Sequence, residues 1–179
     1  MQRVVDEQDN QGALRAGIAQ LLPELRAAAR LLTASRSEAD DLVQEAVLRM
    51  LRGLDSFVPP PEHAGDVKAA LRPWGLTILR NAFREGWRRA RREQQHLSMA
   101  LPEEQGRAGG QEAAQSMHDL TRVLSRLPPA LREAVVLVGA QGLSHEQAAA
   151  ICKVPVGTMK ARVSRARRAL ADALGSVTA

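Results

Sequence analysis

The amino-acid sequence predicts an all-α protein of two small helical domains joined by a flexible linker, the C-terminal one a helix-turn-helix. Aromatic residues make up only 2% of the 179 residues and tyrosine is absent, whereas β-sandwiches and barrels need many aromatic and β-branched residues. Apolar residues instead recur every three or four positions, as in helices. The segment from Pro102 to Gln111 has three glycines and no large apolar residue, which favours a flexible linker over a long surface loop.

The first domain is predicted over residues 12–95 and begins with two helices. Apolar residues at helical spacing run from Leu14 to Leu32 and predict the first of them. A second helix is expected from Ser35, because Glu38 follows three positions later in the spacing of a capping box. Acidic residues come next in the sequence, where the positive end of the helix dipole favours them.

A third helix of this domain is expected after the proline run 59–61. Three consecutive prolines cannot continue a helix, so this segment is predicted to be an ordered loop or a bend. Helix then resumes near Asp66 and extends to Gln95. Because Pro73 lies inside this stretch, a kink or a new helix start is predicted there.

The second domain is predicted over residues 113–176, after a linker at 96–112. Its first helix is expected to end at Pro128, since a proline pair cannot extend it. Its next helix is expected to cover Leu131 to Ala140. Two further helices complete the domain.

These last two helices form a helix-turn-helix pattern. A capping box of Ser144 and Gln147 begins a short helix, and after a turn of about three residues a longer helix runs from Val156 to about Leu174. The longer helix has an apolar face and an opposite basic face, which suits the major groove of DNA. The alternative is a solvated basic face on an exposed amphipathic helix. The candidate DNA-contacting residues are Thr158, Lys160, Ala161, Ser164, Arg165 and Arg168.

A second basic pattern spans residues 80–92, where six of 13 residues are arginine. Arginine binds phosphates, an amide can bind a base edge, and a partly exposed aromatic ring can stack on an unpaired base. Together they suit DNA at a junction between duplex and single strand. The alternative is a charged helix face over two core aromatics, and Phe83 is predicted to lie in the core. The candidate DNA-contacting residues are Arg80, Asn81, Arg84, Trp87 and Arg88.

An acidic pattern near the start of the second helix gives a third candidate surface. Its outward-facing residues are Asp41, Gln44, Glu45 and Arg49. From the residues alone, a solvated helix face is favoured over a surface that binds a partner protein.

Charge and composition exclude several classes of protein. Basic residues outnumber acidic ones by 25 to 20, a net charge of +5 that suits an anionic partner. The single cysteine, Cys152, allows no internal disulfide, and the four histidines show no ligand spacing. The sequence has no recognisable catalytic motif, phosphate-binding glycine loop, signal peptide or membrane span. We therefore expect a cytoplasmic protein that is not an enzyme and has no cofactor or metal.

Three segments together resemble the extracytoplasmic-function, or group IV, sigma factors of bacterial RNA polymerase. Residues 38–45 resemble the part of sigma region 2 that grips the β′ clamp of the polymerase. Residues 79–92 resemble the part of region 2 that meets the −10 promoter element. Residues 127–133 and 155–167 resemble region 4, which binds the −35 element. The resemblance covers residues 12–174, and three such motifs in this order are specific to the family.

The resemblance implies that residues 12–95 bind core RNA polymerase and the −10 element, and that residues 113–176 bind the −35 element. It assigns the acidic surface of the second helix to the polymerase. It also implies an anti-sigma protein as a partner, and no membrane. At Lys153 the family frequently has glycine, and a left-handed backbone there would cost lysine about 1 kcal/mol relative to glycine.

Residues 80–84 and 138–144 are similar to the alphaproteobacterial general-stress subgroup of this family. In that subgroup a small anti-sigma protein holds the sigma factor, and a response regulator with a sigma-like domain releases it. An alternative function is therefore a sigma-like decoy that titrates an anti-sigma protein without binding DNA. The basic faces in both domains argue against a decoy, and an ordinary helix-turn-helix repressor would leave the first domain unexplained.

Overall fold

The computed structural model describes residues 2–63, 65–97 and 120–175. Over these residues the chain forms α-helices and short helical turns, with no strand, as the sequence predicts. No helix in this described part is long and apolar enough to cross a membrane. The helices are α1 (Gln2–Leu32), α2 (Arg36–Gly53), α3 (Val67–Leu97), α4 (described over 120–126), α5 (Pro129–Val135), α6 (His145–Cys152) and α7 (Val156–Gly175).

The N-terminal domain consists of α1, α2 and α3, which pack on one another around a core of fully buried leucines and methionine. Gly75 of α3 lies where the three helices meet. A Cβ atom at Gly75 would come within 2.8 Å of Leu21 Cδ2 and 3.0 Å of Met50 Cε, so a larger residue would require the ends of these two side chains to shift. The largest fully buried side chains of this core are Leu21, Leu25, Met50, Leu71, Leu76 and Leu79.

Two predictions about the helices of this domain were wrong in detail. Helix α1 begins at Gln2, well before Leu14, because apolar periodicity marks only the buried part of a helix and not its full length. The predicted new helix start at Pro73 is wrong, because α3 runs through this residue, while a kink there stays a prediction. The start of α3 is fixed by the Asp66 carboxylate, which accepts a hydrogen bond from Ala69 N at 2.9 Å, and burial of the following apolar residues outweighs the one hydrogen bond that proline removes.

The predicted cap of α2 is present with a changed partner. Ser35 Oγ accepts a hydrogen bond from Glu38 N at 3.2 Å, as expected. The Glu38 carboxylate, however, accepts from Ala34 N at 3.0 Å, one residue before the usual partner in a capping box. The start of α2 is fixed at the predicted residue.

The C-terminal domain consists of α4 to α7. Helix α5 begins at Pro129, two residues before the predicted start, because proline is well suited to the first turn of a helix. It continues as one π-helical stretch, Val136–Ala140, and the chain leaves it through Gly142 with φ +65°. The capping box of Ser144 and Gln147 at the start of α6 is confirmed in both of its hydrogen bonds.

The two domains contact each other directly. Leu31 of α1 packs against Leu124, Leu127 and Ala166 of the C-terminal domain. Helix α3 lies against α5 and α6, and α1 lies against the π-helical stretch. Of the predicted linker at 96–112, the residues after Leu97 lie outside the described part of the chain.

Candidate nucleic-acid interface

Helix α7 buries one side against its own domain and presents the other outward. Met159, Val163 and Ala166 are at most 2% exposed and form the buried side. Thr158 is half-buried in the first turn. The exposed side carries Lys160, Ala161, Ser164, Arg165 and Arg168. The structure therefore brings the candidate residues of this helix onto one face, apart from Thr158 at its edge.

The turn before α7 sets its angle to α6. Lys153 has φ 53° and ψ 52°, the left-handed conformation considered from the sequence. Its neighbour Val154 donates its N–H to Ala149 O at 3.1 Å, which closes the turn. Ala149 is 2% exposed, so a larger side chain there would have to displace its packed neighbours.

The basic side chains of this α7 face are available for a ligand. Arg165 Nε lies 3.3 Å from Ala161 O of the preceding turn, a weak contact within the helix. Within the described ranges, Lys160, Arg165 and Arg168 form no ion pair. A free cationic face of this width can enter the major groove and bind phosphates or base edges.

The candidate arginines on α3 are in a different situation. Arg84 donates Nε and Nη2 to the carboxylate of Glu133 on α5, the second contact at 3.1 Å. Arg80 donates Nε to the same carboxylate at 3.3 Å and Nη1 to Asn81 Oδ1 at 3.1 Å. Glu133 is only 1% exposed. This partner could not be predicted from helical spacing, because Glu133 lies in the other domain.

The candidate residues of α3 other than Trp87 line a shallow charged cavity. It has a volume of about 250 Å³ and is lined by Arg80, Asn81, Arg84, Glu85 and Arg88. Trp87 is half-buried, and the Arg91 guanidinium lies over its ring, 5.2 Å from the centroid. Phe83 is 7% exposed and belongs to the core, as predicted. The cavity chemistry, with arginines and one amide, suits an anionic ligand that also offers a base.

The acidic surface of α2 is partly tied to α3. Asp41 and Gln44 are exposed, but Arg49 Nε binds Glu45 at 2.6 Å and Arg49 Nη2 binds Glu85 of α3 at 2.7 Å. The hydrogen bond from Arg49 lowers the pKa of Glu85 despite some opposing burial. Arg49 therefore joins the two helices, and Asp41 and Gln44 are the free candidates for a partner.

Two exposed leucines extend this α2 surface and were missed from the sequence. Leu48 and Leu51 are 46% and 42% exposed, although they belong to the apolar residues of the helix. They follow Gln44 by one and two turns, so they continue the exposed side of the helix. A helix with more apolar positions than one buried stripe can hold is the sequence signal that points to them.

Two further arginines cross between the domains. Arg72 of α3 binds Glu24 at 2.6 Å and donates Nη2 to Gln141 O at 2.6 Å. Burial raises the pKa of Glu24, but hydrogen bonds from Lys68 and Arg72 outweigh it, so the pKa lies below its ordinary value. A carboxyl group of this kind adds stability above its unfolded pKa and loses it as the pH falls through the folded pKa.

The second of them, Arg132, is buried on α5. Its Nη1 donates to Leu32 O of α1 at 2.6 Å, and its Nη2 donates to the carbonyls of Ser125 and Leu127. Its guanidinium also lies 5.6 Å from the ring centroid of Phe83. Burial lowers the pKa of Arg132. One side chain thus connects three backbone carbonyls from both domains.

Family models match both domains. The model for sigma-70 region 2 matches residues 18–93, which contain α2 and the candidate surface of α3. The model for sigma-70 region 4 matches residues 117–170, which contain the helix-turn-helix. The two models occur in the order expected from the motifs.

Curated relatives match along most of the chain. The ECF RNA polymerase sigma factor EcfG of Rhodopseudomonas palustris (strain TIE-1) is 42% identical over 162 residues, which are 90% of this chain and 85% of the relative. The ECF RNA polymerase sigma factor SigC of Mycobacterium tuberculosis (strain CDC 1551 / Oshkosh) is 36% identical over 139 residues, 75% of this chain and 70% of the relative.

A solved structure is similar across both domains. The sigma factor RpoE from Bartonella quintana, in complex with the anti-sigma factor NepR, is 37% identical and superposes with a TM-score of 0.72, covering 88% of this chain and 94% of that one. The chain therefore belongs to the extracytoplasmic-function family of RNA polymerase sigma factors.

Proposed function

We propose that this sigma factor recruits core RNA polymerase through α2, binds the −10 element through α3 and binds the −35 element through α7. In domain terms, residues 12–95 bind polymerase and the −10 element, and residues 113–176 bind the −35 element. The observation that carries the proposal is the exposed basic face of α7 opposite a fully buried stripe. Such a helix can enter the major groove while remaining packed on its own domain.

The polymerase surface in this proposal combines charge with exposed apolar area. Asp41 and Gln44 are exposed, and Leu48 and Leu51 continue the same side of α2. An exposed apolar strip beside acidic residues is typical of a protein interface rather than a solvated helix face. This feature favours polymerase binding over the solvated alternative.

Regulation by a small anti-sigma protein in a stress response is also part of the proposal, with the cytoplasm as its site of action. Its support is the similarity to RpoE of Bartonella quintana, which was solved with its anti-sigma factor, and to EcfG of Rhodopseudomonas palustris. The two matches cover 88% and 90% of this chain, so the similarity is not limited to one domain.

The test is transcription by core RNA polymerase of Rhodopseudomonas palustris, with and without the purified chain, on fragmented genomic DNA. We expect new transcripts whose start sites share a −35 and a −10 sequence upstream. The variant Asp41→Arg with Glu45→Arg should abolish these transcripts and weaken binding to core polymerase at least about tenfold, because two charges at the interface are reversed.

Asp40→Arg is the control, since it reverses one acidic residue about 100° from Asp41 around the same helix. It should retain most of the activity. If the chain binds an anti-sigma protein but neither polymerase nor DNA, it is a decoy and the proposed function is wrong. If the double variant is as active as the control, α2 is not the polymerase surface.

A further inference from the structure

We propose that Glu133 competes with promoter DNA for Arg80 and Arg84, so that contact between the two domains keeps the −10 surface closed. This inference rests on the proposed role of the two arginines at the −10 element. In this inference the inhibitor of DNA binding is Glu133, a residue of the same chain.

The Glu133 carboxylate binds Arg80 and Arg84 in the way that a DNA phosphate would. Arg84 binds both oxygens of Glu133, and Arg80 binds one of them. A carboxylate that accepts two parallel N–H bonds occupies the same guanidinium edge that a DNA phosphate would use. One guanidinium edge cannot bind both, so DNA must displace Glu133.

Burial strengthens the contact relative to an ordinary surface ion pair. The Glu133 side chain is 1% exposed, and those of Arg80 and Arg84 are 16% and 27% exposed. Pairs on the surface are screened by water and salt, whereas a buried carboxylate cannot give up its cation without a large desolvation cost. Glu133 therefore holds the arginines until another contact compensates.

The closed state does not depend on Glu133 alone. Arg72 joins the N-terminal domain to Gln141 O, and Arg132 joins the C-terminal domain to Leu32 O, each at 2.6 Å. Neither arginine is among the candidate DNA contacts. They offer a way to open the domains without changing the −10 surface.

Arg162 of α7, in the same domain as Glu133, is a further cation that acts on the Cys152 thiol. Its Nη1 is buried and has no hydrogen-bond partner among the described residues. Burial and Glu133 raise the pKa of the Cys152 thiol, while Arg80, Arg162 and Arg84 oppose that rise. With Arg80 and Arg84 on DNA, Arg132 and Arg162 remain as cations in the same domain as Glu133.

The experiment uses the full chain and a fluorescent single-stranded DNA 12-mer of mixed sequence. Arginine binds the phosphates of this probe whatever its sequence. Arg72→Ala should bind it about fivefold more tightly than the parent, because a closed state that loses one charge-assisted hydrogen bond is less populated. This variant removes a positive charge, so simple electrostatics predicts the opposite sign. Lys68→Ala is the matched control, because Lys68 binds the same Glu24 at 2.9 Å without contacting the other domain. The affinity of this variant for the DNA probe should not increase.

Two further measurements keep the inference testable. Glu133→Gln should also tighten binding, and adding Arg84→Ala to it should remove the gain. Cys152, the single cysteine, is 4% exposed and lies 4.0 Å from Glu133, so opening should speed its alkylation by iodoacetamide in Arg72→Ala. Circular dichroism establishes that each variant is folded.

The outcomes separate the inference from the proposed function. If Arg72→Ala behaves like Lys68→Ala in both assays while Arg84→Ala weakens DNA binding, the inference is overturned and the role of α3 stands. If Arg84→Ala has no effect on DNA binding in any background, the proposed −10 role fails and the inference fails with it.

Discussion

The basic faces of α7 and α3 carry the same kind of side chain, but the fold makes only one of them freely available. On α7, Arg165 and Arg168 are exposed and form no ion pair within the described part of the chain. On α3, Arg80 and Arg84 are held by a buried carboxylate of the other domain. Availability for DNA is thus decided by the tertiary neighbours of an arginine and not by its own helix.

The largest effect is expected where the two domains are joined by one buried side chain. Arg132→Met should lower the free energy of unfolding by about 3 kcal/mol, because three carbonyls lose their donor and the cation–π contact with Phe83 disappears. The domains should then unfold in separate steps. Urea denaturation followed by circular dichroism measures both.

The exposed Arg126→Met on α4 is the control, with an expected change of about 0.5 kcal/mol or less. If Arg132→Met and Arg126→Met lower the free energy of unfolding by the same small amount, Arg132 does not join the domains. The α3 surface would then owe its closed state to Glu133 and Arg72 alone.

A smaller effect should distinguish two arginines on the exposed basic face of α7. We predict that Arg165 contacts a base and Arg168 a phosphate. Arg165→Ala should therefore cost about 1–3 kcal/mol of discrimination at one or two positions of the −35 element. Arg168→Ala should weaken binding to all sequences alike and reduce the salt dependence by about one unit. Initiation by the holoenzyme across single-base variants of the −35 element measures both effects. An unchanged ranking of variants with Arg165→Ala would show that this residue does not contact a base.

The smallest effect concerns the ring of Trp87, on the same helix as the two arginines that bind Glu133. Trp87→Ala should slow open-complex formation by the equivalent of about 1 kcal/mol, the lower end for base stacking, because Arg91 already covers one side of the ring. Permanganate reactivity of unpaired thymines follows the rate. Trp87→Phe should keep most of the rate. A Trp87→Ala variant that loses thermal stability at an unchanged rate would place Trp87 in the core.

Local features of the fold could be predicted from the sequence because their causes lie within a few residues. The capping box at Ser144 and Gln147 depends on spacing alone, and it is present. The left-handed backbone at Lys153 was anticipated from the residue that the family frequently has there. The buried stripe of α7 follows from helical periodicity.

Features set by distant residues could not be predicted in this way. Arg84 and Glu133 are 49 residues apart and lie in different domains, so no spacing rule connects them. Pro73 favoured a break in α3, but burial on both sides of it was decided by α1 and α2. The candidate DNA residues were identified by type, whereas their engagement depends on tertiary contacts that composition does not show.

Because the two domains belong to one chain, the contacts of Glu133 and Arg72 form at a high local concentration. A covalent connection between two partners confines them to an effective concentration of about a millimolar, so contacts too weak to join separate molecules are still populated within one chain. Domains expressed apart and mixed at micromolar concentration should leave the α3 arginines free. In the intact chain, a promoter that binds α7 and α3 together gains affinity from the same connection. DNA with both the −35 and the −10 element should therefore displace Glu133 from the α3 arginines more readily than a fragment with the −10 element alone.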